Sequence, residues 1–265
     1  MLNIIVCAKV VTDPEAPAST FKLDPEGRRV VPAAGVPPVI NPYDENALEA
    51  ALRLKESQPC KITVVSAGRT VPKAVLRKCL AVGADDLVVI EDEICNGADS
   101  LTTARLLAAA IGKLGAFDLI LAGRMAADTN AGQVGPGLAE LLGIPAVTNA
   151  RKIAADGSRL RVECALADGY EVVEAGLPCL VTVSHELGEM RAAGVKGLMA
   201  AQKQPVTAWS AADLSAALTS SPRSRTLRLF IPAKEVNCEF VDGGSLEEAG
   251  AALALKVRET LNPNI

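Results

Sequence analysis

Through about the first 150 residues, short apolar runs alternate with segments in which apolar side chains recur at helical spacing. Residues 2–8, 61–67, 86–90 and 118–122 are the apolar runs and read as strands. Residues 46–56, 72–82 and 99–114 read as the helices between them, with Asp44 available as an N-cap and Pro42 marking the preceding turn. This alternation predicts βαβ units and a parallel sheet.

Two regions break the alternation. Residues 21–31 carry Asp24-Pro25-Glu26-Gly27, a turn between two short extended pieces, and predict a hairpin projecting from the sheet. After Gly143-Ile144-Pro145, strand-like runs follow one another at 146–153, 160–167, 170–175 and 179–183, separated by Asp156-Gly157, Asp168-Gly169 and residues 176–178. These predict an antiparallel addition that completes the sheet. From about Arg191 the character shifts to a Gly- and Ala-containing stretch, a Ser-rich segment at 210–224 and an amphipathic end at 246–261, whose apolar residues require something to pack on. The predicted class is therefore α/β, a doubly wound and mainly parallel sheet with an antiparallel addition and an extended C-terminal arm.

Composition supports this class and narrows the partners. The chain has 265 residues, 49% hydrophobic but only 3% aromatic, which suits buried parallel strands covered by Ala-rich helices. A net charge of -4 without any basic block gives no electrostatic footprint for nucleic acid or an anionic membrane. Seven cysteines with no Cys-x-x-Cys pair suggest neither a disulfide framework nor a thiolate metal site, and fit a reducing compartment. The opening Met1-Leu2-Asn3 runs straight into the first strand, without a basic leader or an apolar run of membrane-spanning length, so a cytoplasmic protein without membrane insertion is expected.

Catalytic chemistry is sparse. His185 is the sole histidine, which removes most nucleophile–histidine and His-rich metal arrangements; its ordinary role is structural. No Gly-x-Gly-x-x-Gly follows the first strand, where Val6-Cys7-Ala8-Lys9-Val10 stands instead, and no P-loop is present. The loop after Asp118-Leu119-Ile120-Leu121-Ala122-Gly123 is the best candidate site. It runs from Arg124 through Asp128, Thr129, Asn130, Ala131, Gly132, Gln133, Val134 and Gly135 to Pro136, ahead of a helix at 137–142. Small residues at a strand-to-helix junction let backbone amides approach a phosphate, and the helix terminus adds partial positive charge. Arg124 adds charge there, and Asp128, Thr129 and Gln133 are placed to orient phosphates or a ribose; the competing reading is a polar surface loop with a good helix cap. Cys7-Ala8-Lys9 and Ser66-Ala67-Gly68 would line the same crevice at two other strand ends, leaving room for an adenine ring, or would be ordinary packing residues. Asn41-Pro42-Tyr43-Asp44-Glu45 offers an amide for a nucleotide and an aromatic for a partner, and is also a helix entry motif.

Taken together, several segments resemble the electron-transfer flavoprotein β family in order and spacing. They are Val6-Cys7-Ala8-Lys9-Val10-Val11-Thr12-Asp13, the 21–31 hairpin, and Asn41-Pro42-Tyr43-Asp44-Glu45-Asn46-Ala47 with its helix. Val64-Val65-Ser66-Ala67-Gly68, Ala81-Val82-Gly83-Ala84-Asp85 and the loop from Ala122-Gly123-Arg124 to Gly132-Gln133-Val134-Gly135-Pro136 continue the match. Asp168-Gly169-Tyr170-Glu171, Leu177-Pro178-Cys179-Leu180 and the stretch from Glu189-Met190-Arg191 to Gln204-Pro205 complete it. The match covers residues 1–206; beyond that only the character agrees.

The resemblance implies a sheet of the adenine-nucleotide-binding type over 1–206, with a recognition loop near 191–203, and a C-terminal arm over 207–265 that packs on an α subunit. It implies a heterodimer in which the α subunit carries the redox-active FAD and this chain binds AMP, or a second FAD in members that bifurcate electrons. The implied partners are the α subunit, an acyl-CoA dehydrogenase-type or other flavin dehydrogenase, and a quinone-linked acceptor. Carried residue by residue, the nucleotide contacts are Cys7, Ala8, Asn41, Ser66, Ala67, Asp128, Thr129, Gly132, Gln133, Val134 and Gly135, and the partner anchor is Val195, with Leu198 and Met199 beside it. No catalytic residue and no metal ligand is implied. An anchor in a flexible loop would localise a partner while the flavin domain moves; the competing reading of this segment is a short amphipathic helix packed on its own domain.

Two positions depart from the family pattern. Val134 stands where many relatives have a threonine hydroxyl, and Val134-Gly135-Pro136 looks more like the bifurcating or nitrogen-fixation-associated branch, so AMP and FAD stay alternatives. Ala165 replaces a glutamate that in ordinary members pairs with an α-subunit arginine. Two rival readings are an NADH-dependent bifurcating subunit and a free-standing adenine-nucleotide binder or adenylating enzyme; the latter lacks its Ser-Gly-Gly-x-Asp-Ser type loop after the first strand.

Overall fold

The computed structural model describes residues 1–26, 28–31, 35–214, 222–231 and 238–261. They fall into two compact units, Met1–Arg228 and Leu229–Ile265. In the first unit, β1 (Leu2–Cys7) leads into a small antiparallel pairing of β2 (Val10–Val11) with a later strand. The expected hairpin is present as β3 (Lys22–Leu23) paired antiparallel with β4 (Val30–Val31). Asp24 shapes its turn by accepting the amides of Arg28 and Arg29 at 2.6 and 3.1 Å; Gly27 lies outside the described residues. β5 (Val39–Ile40) is the partner of β2 and delivers the chain to α1 (Pro42–Ser57).

The remaining elements build one sheet. They are β6 (Cys60–Gly68), α2 (Lys73–Val82), β7 (Asp86–Glu91), α3 (Ser100–Leu114), β8 (Leu119–Gly123) and α4 (Val134–Leu142). After them come β9 (Ala146–Asp156), β10 (Arg159–Leu166), β11 (Gly169–Gly176), β12 (Cys179–Val183), α5 (Val195–Lys203) and β13 (Thr207–Trp209). The sheet has nine strands in the order β11-β10-β9-β12-β8-β1-β6-β7-β13. From β9 to β13 every neighbouring pair is parallel; β10 alone runs against its neighbours.

Both faces of the parallel strands are covered, which is why their sequences read as continuous apolar runs. Ile4, Val6, Ile62, Val64, Leu119 and Leu121 face one layer with α1 and α2. Ile5, Val65, Val88, Ile90 and Ile120 face the other with α3 and α4. Alternation along each strand produces this division. Asp99 caps α3 by accepting the Thr102 amide at 2.8 Å, and Gly143, at φ 65°, closes α4 in the left-handed conformation that glycine adopts at least cost.

Several boundaries differ from expectation for local reasons. α1 begins at Pro42, not after it, because proline suits the first helical turn, where its missing N–H costs nothing; Asn41 is the N-cap residue and Asp44 lies inside the first turn. α4 begins at Val134, so the Gly135-Pro136 pair is helical rather than loop. β12 is not part of the antiparallel addition: it lies between β8 and β9, parallel to both. The sheet also continues past residue 206, since β13 pairs with β7, and Leu214 is buried against the α3 layer. Of the Ser-rich stretch, residues 215–221 lie outside the described residues.

In the second unit, α6 (Leu246–Leu261) occupies the predicted amphipathic segment. None of its described residues is buried, and Leu246, Leu253, Leu255, Val257 and Leu261 are exposed. An ion pair joins Lys256 to Glu239.

Leu121 sits fully buried at the centre of β8. Leu121→Ala is expected to lower the unfolding free energy by about 2–5 kcal/mol, read from the denaturant midpoint at unchanged slope.

Candidate functional site

Parallel strands present all their carboxyl ends at one edge of the sheet. The chain order reverses between β1 and β8: α1 carries the chain from β1 to β6 on one side, and α3 brings it back to β8 on the other. The loops leaving β1 and β8 therefore part in opposite directions and open a crevice, the place where open α/β sheets take ligands. Here it holds a cavity of about 100 Å³ that opens to solvent.

Its walls contain most of the expected residues. Cys7, Ala8, Asn41, Ala67, Thr129, Gly132, Gln133, Val134 and Gly135 all line it. Ser66 does not; it is buried, and alternation in β6 turns its side chain away from the face that carries Val65 and Ala67. Asp128 stands at the rim, where both its oxygens accept from Lys9 Nζ at 2.7 Å. Asn41 is buried and its amide is used within the protein: Nδ2 donates to the Met125 carbonyl at 2.9 Å and Oδ1 accepts from the Ala127 amide at 3.0 Å. It shapes the loop after β8 instead of presenting a free amide to the crevice.

Val65, Ser100, Thr103 and Leu107 also line the crevice without any motif that marks them in the sequence, and Asp44, a helix-cap candidate by sequence, joins them. The signal for the α3 residues was available, because in a parallel sheet each strand delivers the start of its crossover helix to the carboxyl edge. Asp44 is the sharper case. Its Oδ2 accepts from the Lys9 amide at 2.7 Å and its Oδ1 from the Gly123 amide at 2.9 Å, tying the two strand ends that flank the crevice. Gly123 must be glycine for this approach, since a Cβ there would lie 2.5 Å from Asp44 Oδ1 and 2.6 Å from Tyr43 Cβ. Burial pushes the Asp44 carboxyl up to about 6, against the opposing effect of the amides it accepts from and of Asn41. Burial, reinforced by the Asp44 charge, pushes the Cys7 thiol up to about 12, so it is a wall and not a nucleophile.

Three features make this crevice fit a phosphorylated ligand. Gln133 does not cap α4 with its side chain, so first-turn amides of that helix are left for another acceptor. Arg124 Nε is buried with no hydrogen-bond partner among the described residues. Its guanidinium lies over the Tyr43 ring, 5.0 Å from the centroid, and Tyr43 in turn meets the exposed His185 edge-on at 6.5 Å. Cys7, Ala8, Val65, Ala67, Leu107 and Ala122 supply small or apolar wall, which leaves space for a ring.

The expected recognition loop is a helix. α5 presents Val195, Leu198 and Met199, spaced one helical turn apart on one face, at 74%, 47% and 62% exposure. The opposite face, with Ala201 buried, packs on α2, and Gly197 lies against the Ala81 carbonyl where no side chain would fit. Among the described residues no group of side chains is arranged to hold a metal ion, and no helix is long and apolar enough to cross a membrane.

Comparison with known proteins adds an independent line. The electron transfer flavoprotein domain model matches residues 29–214. The chain is 37% identical to the caffeyl-CoA reductase-Etf complex subunit CarD of Acetobacterium woodii, over 97% of this chain and 98% of that protein. It is 42% identical to the electron transfer flavoprotein subunit beta of Clostridium acetobutylicum, over 80% of each chain. Protein FixA of Azorhizobium caulinodans is 33% identical over 96% of this chain and 93% of its own length.

The Asp44 carboxyl carbon is expected to titrate near pH 6. The folded chain binds this proton more tightly than the unfolded one, so the contribution to stability is complete below about pH 4 and is lost as pH rises through about 6. A carbon NMR midpoint at or below about 4 would show that the two amides, and not burial, decide its charge.

Proposed function

The chain belongs to the electron transfer flavoprotein family as a β-type subunit, and from this premise we propose that its crevice binds an adenine nucleotide while α5 docks a flavin dehydrogenase. The observation that carries the nucleotide half is the meeting, at the sheet's reversal point, of the uncapped α4 terminus with the unpartnered Arg124 Nε. Amides near Val134 and Gly135, with Arg124, would receive phosphate, and Cys7, Ala8 and Ala67 would flank the adenine ring. Thr129 and Gln133 are within the lining to reach ribose or phosphate, and Lys9 with Asp128 forms the rim.

AMP and the adenylate half of FAD share this chemistry. The lining also takes in Ser100, Thr103 and Leu107 of α3, the helix that packs on α4, and both nucleotides stay as readings of this site. A flavin bound here would supply one- or two-electron carriage; an AMP would be structural. This chain's own side chains make and break no substrate bond in either case. They bind, orient and hold the dimer.

The docking half rests on Val195, Leu198 and Met199, an apolar stripe on a helix otherwise seated on its own domain. The relatives named as a complex subunit and as a subunit beta support assembly with further chains. We assign an FAD-carrying α subunit as the permanent partner, an acyl-CoA dehydrogenase-type donor as the transient one, and a quinone-linked acceptor downstream. The exposed apolar side chains of α6 fit an arm that packs on the α subunit. Free cysteines throughout, including the exposed Cys238, fit the reducing cytoplasm.

Acid extraction of the purified heterodimer is expected to release an adenine nucleotide in a one-to-one ratio with this chain. Two FAD per heterodimer identifies the dinucleotide form, one FAD with one AMP the mononucleotide form, and absence of any nucleotide beyond the α-subunit FAD removes the binding role. Val195→Asp is expected to raise the dehydrogenase KM by about tenfold or more, since burying an unpaired charge at an anchor costs over 1.4 kcal/mol, with nucleotide content unchanged.

A further inference from the structure

The segment that leads into α5 is held by one helix. Arg191 donates from its backbone amide and Nε to Glu49 Oε2 at 3.1 and 2.9 Å, and from a terminal nitrogen to Oε1 at 2.9 Å. A second terminal nitrogen of Arg191 reaches Glu56 at 2.5 Å. Arg53 Nε also donates to Glu49 Oε1, at 3.0 Å, while its terminal nitrogen donates to the Leu187 carbonyl at 2.8 Å. Asn46 Nδ2 holds the Gly188 carbonyl at 2.7 Å. Asn46, Glu49, Arg53 and Glu56 lie along one face of α1. At its far end α5 is held by α2, where Arg77 donates to the carbonyls of Ala201 and Gln204.

Glu49 is the centre of the upstream clamp, and its side chain is only 6% exposed. Burial raises its carboxyl, but the hydrogen bonds from Arg191 and Arg53 outweigh burial and hold it below the usual glutamate range. With the Glu49 carboxylate buried and its two arginines partly exposed, what this cluster supplies is less a gain in stability than a fixed geometry with several directional bonds. The geometry it fixes is that of the segment carrying Val195, and it fixes it to α1, the same helix whose first turn builds the crevice through Asn41 and Asp44.

We infer that Glu49 and Arg191 are positioning residues for partner docking, locking the Val195 helix in register with the nucleotide crevice through α1. The inference rests on α5 being the docking element. Neither residue need touch the partner. Without the clamp the helix stays tethered at its α2 end but samples orientations that present the apolar stripe wrongly, so the effect falls on encounter and not on electron transfer once docked.

The test uses the intact heterodimer with an acyl-CoA dehydrogenase that reduces the wild type. Glu49→Gln is expected to raise the dehydrogenase KM about tenfold, as for loss of a charge-assisted hydrogen bond, with kcat and nucleotide content retained and with faster amide hydrogen exchange over residues 195–203. Arg191→Lys, which keeps the charge but loses the fork, is expected to move KM in the same direction by less, and serves if Glu49→Gln fails to fold. An unchanged KM in Glu49→Gln, or in Arg191→Lys where only that variant folds, while Val195→Asp raises it, overturns the clamp and leaves the docking reading standing. An unchanged KM in Val195→Asp as well overturns both.

Discussion

One carboxylate joins the two halves of the sheet at the point where they diverge. Asp44 accepts the amides of Lys9 and Gly123, the residues at which the chain leaves the β1 and β8 side of the reversal. A parallel sheet opens there because its crossovers go opposite ways, and an unbraced opening would leave two buried amides without acceptors. Asp44 satisfies both with one side chain, and burial then lifts its proton affinity as the cost of that position. Everything the crevice offers a ligand is arranged around this tie: Gly123 lets the helix approach, and Asn41, one turn earlier, shapes the loop that carries Arg124 to Gly132.

α1 is therefore more than a crossover. Its first turn shapes the crevice, its apolar face packs under β8 and β1, and its polar row, Asn46, Glu49, Arg53 and Glu56, holds the segment before α5. A rigid element that touches both the crevice and the segment before α5 fixes their relative placement. The apolar stripe of Val195, Leu198 and Met199 contributes little to this chain's own stability, since these side chains stay in solvent.

The strands and helices of the first half were legible because their signal is local. Two-sided burial makes a strand an apolar run, and one-sided burial gives a helix its period, so β1, β6, β7, β8, α2 and α3 emerge within a residue or two. Element boundaries differ from the sequence pattern where a local signal has two meanings. Gly135-Pro136 reads as a loop, yet proline is at home in a helix's first turn and glycine is needed where a Cβ would lie 2.7 Å from Thr182 Cγ2. For the segment around Val195 the resemblance implies a flexible loop and the residues also allow a short helix packed on its own domain; the structure has the helix, seated on α2 through Gly197.

By itself, then, the sequence determined the elements, the apolar faces, the sparse catalytic inventory and, through coincident segments, the family. It determined them because periodicity, turn chemistry and motif spacing are properties of neighbours in the chain. Which edges meet is not such a property: β12 follows a hairpin yet pairs in parallel with β8, a choice made by the twist and burial of the whole sheet. The same holds for the polar groups. Only the tertiary structure decided that the Asn41 amide is consumed by its own protein, that Ser66 faces away from the crevice, and that Glu49 meets Arg191 across the domain, because a hydrogen-bonding group declares its role only when its partner is in place.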